Sequence, residues 1–169
     1  RSPPVWVCFS AYHFKPETLP WLLILHNYMD VTQSSVLILS GWIHYSVVNE
    51  QFTRILTRLL EEGVNIYIGF GYEDSKGKHT LYPDSQKALG VLQKLQKQAD
   101  KFKGKLFVGR FSNHQKILII DQHKVVCGSN NWLSNRTFRN KEKSIVIEDP
   151  NLANEIFKEI IQLIKANPA

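Results

Sequence analysis

The chain has 169 residues, of which 43% are hydrophobic and 11% aromatic; that is enough to bury a core and excludes a disordered polypeptide. Its net charge of +6 favours polyanionic partners, either nucleic acid or an anionic membrane surface. The longest apolar runs, such as Ile117 to Ile120, are strand-sized, which argues against a transmembrane segment.

Arg1 to Pro4 carry no signal-peptide pattern, and a chain that opens without Met reads as a domain of, or a product cut from, a longer protein. Val5 to Ser10 has the composition of a strand. Glu17 to Met29 reads as a helix carrying Leu22, Leu23, Leu25 and Tyr28. Ser35 to Trp42, centred on Val36-Leu37-Ile38-Leu39, is a short strand of the fully buried type. Val48, Phe52, Ile55, Leu56, Leu59 and Leu60 recur at helical spacing, and Gly63 is placed to end that helix. Val64, Ile66, Ile68 and Phe70 alternate as in a strand. Gly71 to Pro83 is a polar loop of functional length. Asp84 or Ser85 then caps a helix with Ala88, Leu92, Leu95 and Ala99 on one face.

Lys105 to Val108 is the next strand. Gln115–Ile120 and Lys124–Cys127 form a hairpin closed by Asp121-Gln122-His123. Ser144 to Glu148 is a last strand, and Leu152 to Ile164 a closing amphipathic helix. This order predicts an α/β sandwich with a mixed sheet, helices on both faces, and a single domain over 1–169. Cys8 and Cys127 sit in apolar contexts without zinc spacing, which predicts buried free thiols and a reducing, cytoplasmic setting.

One stretch concentrates chemistry. His114, Lys116, Asp121, Gly128, Ser129 and Asn131 spell H-x-K-x4-D-x6-G-S-x-N. Chance assembles those six fixed positions on the order of once in a million chains of this length. On a Gln115–Ile120 strand, alternation turns His114 and Lys116 to one side. An ammonium there neutralises a phosphate, and a neutral imidazole beside it can attack phosphorus. Ser129 and Asn131 supply hydrogen bonds to phosphate oxygens, while Gly128 permits close backbone approach. Glu142 is suited to accept the second ring N–H of His114 and fix its tautomer. Asp121 would repel a phosphate and is read as structural, in a turn or an ion pair. Basic residues flank the motif, with Arg136, Arg139, Lys141 and Lys143 following it.

In this pattern the chain resembles the phospholipase D superfamily, and Asn140 and Glu142 extend the match. The resemblance implies a phospholipase D-like sandwich and a covalent phosphohistidine. It also implies phosphate binding by Lys116, Ser129 and Asn131, and no metal or other cofactor. Family sites use two copies of the motif, and this chain has one. His13, followed by Lys15, has no matching aspartate or Gly-Ser-x-Asn; His26, His44, His79 and His123 have no lysine two residues on.

A symmetric homodimer, as in the single-motif bacterial endonuclease branch, would complete the site; a second motif elsewhere in a longer protein is the other repair. The charge favours a nuclease acting on DNA or RNA. A phospholipid-cleaving enzyme and an idle nucleic-acid-binding module are the alternatives. Trp42 and Trp132 are read as core or interface aromatics, with Trp132 also placed for a rim contact beside Asn131.

Overall fold

The structure, a computed structural model, describes the backbone of Val5–Ser10, residue 27, and residues 31–72, 81–134 and 143–169. The helix expected over Glu17 to Met29 lies outside these residues except for Asn27, which is helical and exposed. Seven strands form one mixed sheet: β1 (Val5–Ser10), β2 (Ser35–Ser40), β3 (Asn65–Phe70), β4 (Leu106–Arg110), β5 (Ile117–Ile120), β6 (Lys124–Gly128) and β7 (Lys143–Glu148). Their order across the sheet is β1-β7-β6-β5-β2-β3-β4. β2, β3 and β4 run parallel, whereas β5, β6, β7 and β1 pair antiparallel in succession from β2. Parallel neighbours need crossover helices, and the chain supplies them as α1 (Glu50–Glu62) and α2 (Pro83–Gln96).

β2 is central, and every one of its residues is buried. Val36 and Ile38 point into a core shared with Phe52, Leu56 and Leu59 of α1 and Ala88 and Leu92 of α2. Leu37 and Leu39 point the other way, onto Ala153, Phe157, Ile160 and Ile164 of α3 (Pro150–Ala166). A strand buried on both faces therefore shows a continuous apolar run instead of alternation. The last residues of the chain cover the far edge: Ala169 donates to the Val108 carbonyl and Arg110 to that of Asn167.

Helix ends show where local signals acted. Asn49 caps α1 by accepting from the Gln51 and Phe52 amides, and Gly63, at φ 97°, ends it. α2 differs from expectation. Neither Asp84 nor Ser85 caps it: Tyr82 precedes Pro83, which opens the helix and needs no amide partner. The Ser85 hydroxyl is buried and donates instead to the Ile43 carbonyl at 2.7 Å. α3 starts earlier than the apolar pattern indicates, because Asp149 caps it through the Asn151 and Leu152 amides. Cys127 is a free thiol but only half-buried; the Cys8 side chain lies outside the described residues.

Asp121 closes the β5–β6 hairpin at φ 51°, a left-handed conformation that Asp tolerates better than most residues. Its carboxylate accepts from the backbone amides of Gln33 (3.2 and 3.1 Å), Ser34 (2.8 Å) and Ser35 (3.0 Å), and from the Ser34 hydroxyl (2.9 Å). These partners are three backbone amides and one hydroxyl at the start of β2, not a cation, so of the two expected roles Asp121 takes the turn and adds a clamp between the hairpin and the central strand. Burial alone would raise this carboxyl's pKa, but the amides of Ser35, Ser34 and Gln33 more than offset that and hold it below the usual carboxylate value.

A group with a depressed folded-state pKa stabilises above its unfolded value, and that stability is lost as pH falls through the folded one. Asp121→Asn keeps an acceptor oxygen and tolerates the same backbone conformation. Its cost should be about 1 kcal/mol at pH 7, after discounting for partial exposure. Denaturant titrations should show the gap to wild type closing below about pH 4. Asp121→Ala should cost more, about 2 kcal/mol, because several amides lose their acceptor.

Candidate active site

The carboxyl ends of β2 and β3 meet the amino end of β5 and the carboxyl end of β6 at one end of the sheet. In sheets of this kind, ligands bind outside the carboxyl ends of the parallel strands. Ser40-Gly41-Trp42, Gly71-Tyr72, Asn113 to Lys116 and Ser129 to Asn131 are delivered there.

His114 is exposed and Lys116 half-buried. Both precede β5, which begins at Ile117 and not at Gln115 as expected. A network around Asn113 holds this approach segment. The Asn113 amide donates to the Gly71 carbonyl at 2.8 Å. Its side-chain nitrogen reaches the carbonyls of Ser40 and Gly71, both at 3.4 Å, and its side-chain oxygen accepts from the Gln115 amide at 3.0 Å. Asn113 thus ties the residues on both sides of His114 to the ends of β2 and β3. The Lys116 ammonium turns back to donate to the His114 carbonyl at 2.7 Å. It lies beside the histidine as expected, but fixed on its backbone.

Gly41 lies under the imidazole. A β-carbon placed there would stand 3.6 Å from His114 Cδ2, 3.6 Å from the Asn113 carbonyl oxygen and 3.4 Å from Asn131 Oδ1. His114 and Asn131 therefore converge on one small open spot. Asn131 Oδ1 is buried there without a hydrogen-bond partner among the described residues. A buried polar atom of this kind costs stability unless it is hydrogen-bonded.

Ser129 joins the ends of β6 and β7: its amide donates to the Lys143 carbonyl at 3.0 Å, and its hydroxyl accepts from the Lys143 amide at 3.1 Å. Gly128 makes that junction possible. A β-carbon there would lie 2.2 Å from the Lys143 carbonyl oxygen, so the close approach it permits is that of β7.

Asp121 is at the opposite end of β5, clamped to the start of β2, away from His114. Asn140, Glu142, Arg136, Arg139 and Lys141 lie outside the described residues, as do His13, His26 and His79. His44 is engaged elsewhere: Nδ1 contacts the Ser46 hydroxyl at 2.7 Å and accepts from its amide, while Nε2 is 3.2 Å from Asp84. Trp132 is 2% exposed, so it belongs to the core and cannot make the rim contact expected beside Asn131. Sequence reasoning missed Gly41, Asn113 and Tyr72. Only the Gly-Trp after an apolar run and the Asn before His114 hinted at the first two.

The sequence family described as "Cardiolipin synthase, PLD-like domain" matches residues 25–164, and the chain belongs to it. That membership defines a phospholipase D-like enzyme of the phosphodiesterase type. Among solved structures, the phospholipase D family member Nuc from Salmonella typhimurium is similar at 20% identity and a TM-score of 0.65, over 99% of this chain and 97% of that one. NucT from Helicobacter pylori gives 18% and 0.65, over 99% of both chains. Phosphatidylserine synthase from Haemophilus influenzae gives 16% and 0.56, over 96% of this chain and 39% of that one. No curated protein matches.

The two glycines should respond differently to substitution. Gly128→Ala should destabilise the fold by about 2 kcal/mol or more, because backbone must move, and thermal melts will measure this. Gly41→Val should lower the melting temperature less than Gly128→Ala, because side chains can yield there, but should displace His114 or Asn131 and lower kcat for phosphodiester cleavage at least tenfold.

Proposed function

We propose that the protein hydrolyses phosphodiester bonds in nucleic acid through a covalent intermediate on His114. The observation that carries this reading is the convergence of the His114 ring and the Asn131 side chain over Gly41. The imidazole attacks phosphorus, a phosphorus–nitrogen bond forms, and the bond to the leaving oxygen breaks. That oxygen takes a proton from a second imidazole. Water then attacks the adduct, gives its proton to that second imidazole, and the phosphorus–nitrogen bond breaks to free His114 and a phosphate monoester.

One of the three Lys116 donors is held by the His114 carbonyl; the other two offer charge to the phosphate. Asn131, through its side-chain Nδ2, and the Ser129 hydroxyl donate to its non-bridging oxygens. Glu142 orients His114, while Asp121, Gly128 and Asn140 support the framework. The second imidazole comes from His114 of another copy across a two-fold axis. No metal is assigned a step.

The charge of +6 favours a polyanion. The family description, which names a lipid-forming enzyme, favours a second reading in which a phospholipid is the substrate. Among the described residues, however, the large exposed apolar side chains Val31, Tyr72, Tyr82, Ile145 and Leu163 come from separate elements and form no amphipathic helical face for a bilayer. No described helix is long and apolar enough to cross a membrane.

Wild type should cleave DNA or RNA in the presence of EDTA, with KM rising steeply with salt. His114→Ala should lose about a thousandfold or more of kcat while keeping its circular dichroism spectrum. Sedimentation should give a dimer; a fully active monomer would refute the shared site. Release of phospholipid headgroup without nucleic-acid cleavage would establish the second reading instead.

A further inference from the structure

Two aromatic rings stand beside the site and have no part in the chemistry assigned to it. Trp42 follows β2 and Tyr72 follows β3, and parallel pairing of those strands brings them together. Their centroids are 4.7 Å apart at 34°. The Tyr72 ring then meets the His114 ring at 5.3 Å and 57°. Tyr72 keeps 37% of its surface exposed, and Trp42 is half-buried. The same two rings wall a small pocket with Gly41, Ile43, Leu81 and Arg110.

The chain buries Trp132 fully, so leaving a second indole and its tyrosine neighbour open to water forgoes apolar burial that the fold could have used. What remains is a π surface one ring away from the imidazole. A flat heterocycle attached to the phosphate on His114 is the group such a surface fits. A nucleobase has that shape, whereas an acyl chain or a lipid headgroup does not. Arg110, at the pocket wall, adds positive charge for a neighbouring phosphate.

We propose that Tyr72, backed by Trp42, stacks an unpaired nucleobase next to the phosphate to be cleaved, so that the site takes single-stranded nucleic acid in preference to duplex. This rests on the nuclease reading above. In a duplex each base is already stacked and paired, and reaching Tyr72 would require extruding it.

Three probes test this with the whole chain: a single-stranded oligonucleotide, the same strand annealed to its complement, and the same strand carrying abasic sugars. All keep the phosphates of the first, so differences isolate the base and its pairing. Wild type should bind the ordinary strand about tenfold more tightly than the abasic one, within the range of one base–aromatic stack. Tyr72→Leu should bring that ratio to near one, and Tyr72→Phe should retain it. On wild type alone, the ordinary strand should quench tryptophan fluorescence more than the abasic strand does; this readout needs no variant to fold.

An unchanged ratio in Tyr72→Leu, equal quenching by both strands, or duplex cut as readily as single strand would overturn the proposal. Base-dependent binding with no cleavage of any strand would sink the nuclease reading and leave the stack standing. Equal binding and cleavage of ordinary and abasic strands would do the reverse.

Discussion

The antiparallel pairing of β2 with β5 is the constraint on which the site depends. β2 runs parallel to β3, so both end at the same edge of the sheet, while β5 starts there. The register sets Leu39 opposite Ile117 and Val36 opposite Ile120. This brings the residue after β2, Gly41, under the residues before β5, His114 among them. A slip of one residue would turn Leu37 and Leu39 away from α3 and carry His114 off its floor. Two hydrophobic cores resist that slip, because Val36, Leu37, Ile38 and Leu39 are each committed to one or the other. At the far end the Asp121 clamp joins the same two strands. The aspartate of the motif thus contributes to the site through register, from the other end of the strand.

Much of this architecture was legible in the sequence. Val36 to Leu39 announces a central strand because both of its faces are buried, and Gly63 announces a helix end because its left-handed backbone is where a glycine is favoured. The start of α2 was not legible. Asp84 and Ser85 are good capping residues in isolation, but Pro83 removes the need for one amide partner and Ile43, forty-two residues away, takes the Ser85 hydroxyl. The motif told that His114 and Asn131 belong together. It could not tell that Gly41 and Tyr72 join them, since these come from two other stretches and meet only through strand order, nor that Asn113, next to His114, ties them together. Nor could it tell that the strand expected from Gln115 begins two residues later, at Ile117; the Asn113 hydrogen bonds, not a β-ladder, hold that segment.

Electrostatics and packing divide the work at this end of the sheet. The backbone around the site is well satisfied. The amides of Phe111, Asn113, Gln115 and Ser129 all find acceptors. The side chains are less fully matched: among the described residues Asn131 Oδ1 has no hydrogen-bond partner, and Tyr72 keeps an exposed ring beside the exposed imidazole.

The two glycines of the region show how to separate the parts that make the fold from the parts that serve a ligand. At Gly128 the missing β-carbon is replaced by protein: the β7 backbone occupies the space, at a distance no side chain could share. At Gly41 the nearest atoms lie at ordinary contact distance and belong to His114, Asn113 and Asn131, so a methyl group would fit and a branched side chain would not. The space above Gly41 is therefore needed by those polar side chains and by what they contact. A glycine required by backbone is demanded by packing; a glycine required by the reach of an imidazole and an amide is demanded by chemistry. Of the two, Gly41 lies outside the sequence motif, and yet it is the one whose small size the site itself uses.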